Sequence, residues 1–255
     1  MRVLVTNDDG VHAPGIVALA CAMREAMFDV IMVAPRGEMS GSSASMAAHN
    51  DEIHYARVAV DGWADPAYAL DGAPALCVIA GVLGAFGPPP DIIVAGVNPG
   101  LNTGRSTLHS GTIGAALTAA AWGLSGLAVS IDIGSPTRWG TATDLACQAA
   151  VWLARAPKRT AINLNVPNLE PRQLRGVRHA TLAPLGAMRT SIAEHTPGLI
   201  KLQLLPNTTP VPHNTDTAIV RDGYATVSLL TPPAAIDDAS VLEAFDSLGS
   251  SDGVR

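Results

Sequence analysis

A mostly parallel α/β sheet with helices on both faces is the fold class this sequence predicts, on three observations. Short apolar runs rich in β-branched residues alternate with longer segments of helical spacing, the pattern of successive strand–helix–strand units. The 255 residues are 48% hydrophobic and only 15% charged, enough apolar material for one large buried core. Three polar, glycine-bearing segments directly follow apolar runs, which is where open α/β sheets place their ligands.

Residues 2–6 read as a buried strand closed by a polar turn. Residues 14–27 place Ile16, Leu19, Ala20 and Met23 at helical spacing, and 29–34 form the next strand, ending at Pro35. The segment 36–50, with Ser40, Gly41, Ser42, Ser43 and Ser45, has little periodicity. It reads as a long loop of the kind that carries function. Further strands are expected at 68–70, 91–97, 126–131 and 161–166, and helices at 75–85, 112–122 and 143–154. From about Pro171 the prolines at 184, 197, 206, 210 and 212 cut the chain into short pieces, among them 200–205 and 225–230, that read as antiparallel hairpins. One domain is therefore expected over 1–233, with a core over 1–170 and a hairpin extension over 171–233. A helix or partly disordered tail, 234–255, follows.

Composition excludes several classes. A wholly disordered chain, a collagen-like repeat and a small disulfide scaffold do not fit. Sixteen Lys+Arg against 22 Asp+Glu give a net charge of −6, which argues against a surface that wraps a nucleic-acid polymer. A small anionic substrate stays open, because a metal or backbone N–H groups can bind one locally. Cys21, Cys77 and Cys147 form no CxxC pair and read as small core residues of a reducing compartment. The apolar stretch before Asn7 is too short for a signal peptide. The stretch 75–87 stops at Pro88, short of the ~20 residues that span a bilayer. A cytoplasmic chain with no membrane partner is expected.

Asp8 and Asp9 stand directly after the first strand. Adjacent carboxylates repel, so both stay ionised only with a cation or strong donors beside them. A solvated turn closed by Gly10 is the plain alternative, but the strand end and the lack of a basic neighbour in sequence favour a divalent-metal site. Asn98 lies just past an apolar strand and can turn its amide oxygen toward these acids. Asn102, between Gly100 and Gly104, is equally well explained by turn chemistry. Ser110 reads as the N-cap of a small-residue helix whose free N–H groups, with Gly111 and Thr112, would attract phosphate. An ordinary cap would look the same. The Ser40-Gly41-Ser42-Ser43 loop offers hydroxyls or simply flexibility. No GxGxxG, Walker A lysine or Gly-x-Ser-x-Gly elbow accompanies these segments. Of the seven histidines, only His12 and His109 flank them.

Taken together, the ordered motifs resemble the SurE survival-protein family of metal-dependent nucleotidases. The stretch from Val3 through Asn7-Asp8-Asp9-Gly10 to Ile16 is similar to its opening signature, and Ala34-Pro35 with Ser40-Gly41 to its second motif. Gly96 to Gly104 and Ser110-Gly111-Thr112 resemble its third and fourth. Asn165-Val166-Pro167, Thr215-Asp216, Asp222-Gly223-Tyr224 and Thr231-Pro232 resemble its later landmarks, so the likeness runs to about Pro233. The resemblance implies a Rossmann-like core, a β-hairpin extension used in dimer contacts, and hydrolysis of nucleoside monophosphates with a divalent cation. Its metal ligands fall on Asp8, Asp9, Ser40 and Asn98. This all-oxygen set suits Mg²⁺ or Mn²⁺, one per subunit, with Ca²⁺ able to stand in crystals. Departures lie at Ala73 to Leu76, at Arg105-Ser106 where the family often has acids, at His109 in place of Tyr, at Thr118 in place of Glu, and at Ala44 in place of His.

The expectation is hydrolysis of a nucleoside 5′- or 3′-monophosphate, with Asp8 or Asp9 taking the proton of the attacking water. Phosphate contacts are expected from Asn7, Gly41, Ser42, Asn102, Ser110, Gly111 and Thr112, with His109 as a speculative general acid. One alternative keeps the phosphatase chemistry on a phosphorylated specialised metabolite, and another is a non-catalytic nucleotide-binding scaffold. A phosphatase forming a phospho-aspartate would want Asp-x-Asp rather than Asp8-Asp9. A homodimer or tetramer is expected, because hairpins over 200–230 would otherwise expose apolar strand edges.

Overall fold

The computed structural model describes residues 1–47 and 52–235. In chain order the elements are β1 (Arg2–Thr6), α1 (Pro14–Glu25), β2 (Asp29–Pro35), β3 (Tyr55–Val60), β4 (Trp63–Leu70), α2 (Pro74–Val82), β5 (Ile92–Pro99), α3 (Gly111–Ala121), β6 (Gly126–Ile131), α4 (Trp139–Leu153), β7 (Ala161–Val166), β8 (Val177–His179), β9 (Met188–Thr196), β10 (Leu199–Pro206), α5 (Asp216–Arg221) and β11 (Ala225–Leu230). Short 3-10 turns at Gly104–His109 and Pro171–Gln173 link them.

The main sheet runs β3-β4-β2-β1-β5-β6-β7-β11-β8. Its centre, from β4 to β7, is parallel throughout, while β3 and β11 pair antiparallel with β4 and β7. Helices cover both faces. One core joins β1, β2 and β5 to α1 and α4 through Ile16, Leu19, Met23, Leu127 and Leu153. The other packs α2 and α3 on the opposite face through Leu4, Val33, Val78, Ile93 and Ala119. Burial on both faces explains why β6 and β7 are buried along their whole length and carry no charged residue. Pro14 and Pro74 open α1 and α2, positions where the missing N–H costs nothing.

Strand order reverses between β1 and β5, which makes the crevice beyond their carboxyl ends the topological switch point. A register shift in β5 between Ala95 and Asn98 marks a bulge that re-aims the chain there.

Three expectations need correcting. The strand expected at 68–70 begins at Trp63 and pairs with β3, a partner that the alternation of polar and apolar residues in 55–60 had left unread. Helix α4 begins at Trp139, one turn before 143. The region after Pro171 is not all hairpin. Only β9 and β10 form one, whereas β8 and β11 join the main sheet and α5 lies between them. The partly disordered segment expected over 234–255 lies outside the described residues from 236 onward. Among the described residues no helix is long and apolar enough to cross a membrane.

Candidate active site

Strand β1 delivers Asn7, Asp8 and Asp9 to the switch point as its chain leaves the sheet. Asp8 is 3% exposed and its carboxylate lies against the start of α3. Its Oδ1 accepts the Thr112 hydroxyl at 2.6 Å, and its Oδ2 accepts the N–H groups of Gly111 and Thr112 at 3.1 and 3.3 Å. The free N–H groups and positive end of the helix thus meet an anion supplied by the chain itself. Ser110 caps the helix, its Oγ accepting the Ile113 N–H at 3.1 Å.

Glycine is required at 111. A Cβ there would stand 2.8 Å from Asp8 Oδ2 and 2.7 Å from Ser42 Oγ. The same closeness brings the Ser-rich loop onto the helix end. Ser43 donates its N–H to the His109 carbonyl and its hydroxyl to the Leu108 carbonyl, and the Met39 N–H donates to the Asp8 carbonyl at 2.7 Å.

Asp9 is treated differently. Its Oδ2 is buried and has no hydrogen-bond partner among the described residues, and the same holds for Asn7 Oδ1 and Ser42 Oγ. Burial, then the neighbouring Asp8, then Glu38 push the Asp9 carboxyl up to about 7. Asp8 is also raised, chiefly by burial, with its α3 hydrogen bonds pulling the other way. Asn98 donates its Nδ2 to the Gly100 carbonyl at 2.6 Å, which fixes the amide. Ser40 is exposed and donates its hydroxyl to Glu38.

The donor chemistry fits a hard divalent cation. Two carboxylates, an amide oxygen and a hydroxyl are all oxygen ligands, and a buried carboxylate oxygen without a partner is costly unless a positive charge meets it. Among the described residues no group of three His, Cys, Asp or Glu side chains gathers as a metal site, so a cation held here would need neutral oxygens beside the acids.

The expected residues therefore divide. Asp8, Ser42, Ser110, Gly111 and Thr112 come together through the contacts above, with Asn7 and Asp9 flanking Asp8 in the chain, while Ser40 and Asn98 hydrogen-bond Glu38 and Gly100 rather than the two acids. Gly111 and Thr112, expected to hold phosphate, have their N–H groups and the Thr112 hydroxyl engaged by Asp8. Asn102 is turned toward the sheet, donating its Nδ2 to Ser130 Oγ at 2.9 Å. Its backbone N–H is held by Asn165 Oδ1 and its carbonyl accepts Asn163 and Asn165 Nδ2. Gly41 and His109 lie exposed at the rim. An apolar groove of about 430 Å³ between α4 and β11, lined by Trp152, Val177 and Leu229, includes none of these residues.

Sequence reasoning missed Glu38, whose only signal was an acid inside a serine-rich loop. It also missed what Asn163 and Asn165 do. Two asparagines alternating inside a wholly buried strand were a legible signal, since buried amides need partners.

The family profile described as survival protein SurE matches residues 3–188. Among similar proteins, "5'/3'-nucleotidase SurE" of Erwinia tasmaniensis is 35% identical over 237 residues, 90% of each chain. "5'/3'-nucleotidase SurE" of Citrobacter koseri is 41% identical over 180 residues, covering 70% of this chain and 68% of its own. "5'-nucleotidase SurE" of Syntrophobacter fumaroxidans is 39% identical over 193 residues, 70% of this chain and 71% of its own. In fold, the chain is similar to the crystal structure of the SurE protein from Aquifex aeolicus, with a TM-score of 0.78 at 24% identity, covering 97% of this chain and 99% of that one.

Proposed function

The chain belongs to the SurE survival-protein family, and from that membership we propose that it is a phosphoric monoester hydrolase, a nucleotidase that cleaves nucleoside 5′- or 3′-monophosphates to nucleoside and phosphate. The observation that carries the reading to this chain's own site is the unpartnered Asp9 Oδ2, buried at the switch point beside an Asp8 already anchored to α3. That asymmetry leaves one acid free for chemistry and one fixed for positioning.

Asp8, Asp9, Ser40 and Asn98 are the residues that would hold one Mg²⁺ or Mn²⁺. Bound there, the cation supplies charge stabilisation to the phosphoryl group and acidifies water. Thr112 and Gly111 keep Asp8 from rotating away from the site. Asp9, whose second carboxylate oxygen has no protein partner among the described residues, takes the proton of the attacking water. Ser42 and Ser110 offer hydroxyl donors to the phosphate oxygens, and their fixed positions mean that little reorganisation accompanies reaction. His109, at the rim, is the candidate donor to the departing ribose oxygen.

The hairpin β9–β10 supports a homo-oligomer. Ile200, Leu202 and Leu204 alternate along β10, each more than half exposed, an apolar face that a second copy would cover.

Phosphate release from a panel of nucleoside monophosphates and sugar phosphates tests the function, with the chain first stripped by EDTA and then given Mg²⁺ or Mn²⁺. Nucleotides should be hydrolysed only after the cation is returned. Full activity in a rigorously cation-free preparation removes the proposed metal role, and failure to release phosphate from any nucleotide removes the function.

A further inference from the structure

We propose that Asp216 is a positioning residue for catalysis, acting through the turn Gly104–His109; the proposal rests on the hydrolytic reading above. Asp216 is fully buried at the start of α5. Its Oδ2 accepts the Gly104 N–H at 2.8 Å, and its Oδ1 accepts the N–H groups of Ala183 and Thr217 at 2.9 and 2.7 Å. One carboxylate therefore joins the turn after β5, the chain entering the hairpin, and α5. Such charge-assisted bonds are short and directional, and they hold geometry better than neutral ones.

The joint is reinforced on both sides. The Ala187 N–H donates to Thr103 Oγ1 at 3.0 Å, and Ser106 Oγ donates to the Thr103 carbonyl at 2.7 Å. No Cβ fits at Gly104, because the Leu185 carbonyl carbon would lie 2.6 Å from it. Asn207, just past β10, donates its Nδ2 to the Gly186 carbonyl, and its N–H to that of Ala187. Both stems of the hairpin thus bear on the same turn.

The far end of that turn reaches the site. Leu108 and His109 offer the carbonyls that hold Ser43, and Ser110 follows as the cap of α3. Neither Asp8, Asp9 nor Asn98 hydrogen-bonds the turn itself. Displacing the turn should therefore disturb first the groups it carries directly, Ser43 and the cap Ser110, and the carboxylates less, because Asp8 is held by α3 rather than by the turn. That separation gives the proposal its test.

Asp216→Asn leaves one oxygen for two sets of donors. The oxygen goes to the paired N–H groups of Ala183 and Thr217, and the new NH₂ then faces the Gly104 N–H, so only the tie to the turn opens. In the full chain with Mn²⁺, kcat should fall about tenfold or more. Mn²⁺ affinity by calorimetry should stay within about twofold, and amide exchange over 104–109 should quicken. Thr103→Val, which keeps shape and removes the hydroxyl held by Ala187, should move the same readouts in the same direction and serves if Asp216→Asn fails to fold. Wild-type kcat in the variant, or Mn²⁺ affinity lost in step with kcat, overturns the positioning role. A wild-type chain that releases no phosphate overturns the hydrolytic reading and this proposal with it. Release by the wild type with an unaltered variant overturns this proposal alone.

Discussion

At the end of β1, Asp8 meets three donors from α3, whereas Asp9 beside it keeps one buried oxygen with no partner. The two residues therefore predict different phenotypes. Asp9→Asn should weaken cation binding and lower kcat/KM by more than the about 10–100-fold that losing an outer-shell partner costs, with partial rescue at high Mn²⁺; titration calorimetry and initial rates check both. Ser110→Ala leaves the backbone donors and the carboxylates intact. It should cost about 1–3 kcal/mol of transition-state stabilisation through the lost hydroxyl, and excess Mn²⁺ should not restore it. Asp9 also sets a pH dependence. In the folded chain it holds a proton up to about 7, whereas the unfolded chain releases it near 3.8. Its contribution to stability is present below about pH 4 and is lost as pH rises toward 7. The Tm of cation-free wild type should thus fall, relative to that of Asp9→Asn, across this window. A saturating divalent cation should reverse the trend, because it binds the ionised form.

At the scale of elements, α3 and the Ser-rich loop behave as one unit, pressed together at Gly111. Gly111→Ala would force its methyl against Asp8 and Ser42. A fold that survives should lose about 1–3 kcal/mol of stability and most of its turnover, measurable by thermal melts and phosphate release. The bounds of β1, β6 and β7 were readable from the sequence, since burial on both faces writes a mostly apolar run with no charged residue in its interior, although β7 carries two buried asparagines. The sequence hid β3 because it lies at the sheet edge, where polar and apolar residues mix and pairing depends on a distant partner. Helix α5 is short, and the tie from Asp216 at its start to the turn after β5 spans more than a hundred positions, which nothing local announces. The acids and Asn98 stood out because they end apolar strands. The engagement of Thr112 by Asp8 was not legible, because nothing local says which anion a helix end will meet.

For the whole molecule, the apolar face of β10 and the groove between α4 and β11 lie apart from the carboxylates. The proposed association through β10 would therefore leave the proposed chemistry on a different surface. Replacing Leu202 with Glu should shift the chain toward smaller species by light scattering at micromolar concentration, without lowering Mn²⁺ affinity. A wild-type chain that is already a fully active monomer would remove the case for an oligomer.

The hairpin also has a property of construction. Met188 and Pro206 face each other as the last pair of the β9–β10 ladder, where the two strands leave the body side by side, so a short glycine turn could join them directly. Everything beyond that pair is then a detachable module on a fixed socket of Ala187 and Asn207. The socket would accept an unrelated insert, a fluorescent reporter or an affinity loop, as readily as it bears the natural strands. A chain with residues 189–205 replaced by such a turn should still fold and bind Mn²⁺, and its size by light scattering would show whether the module is what gathers the copies.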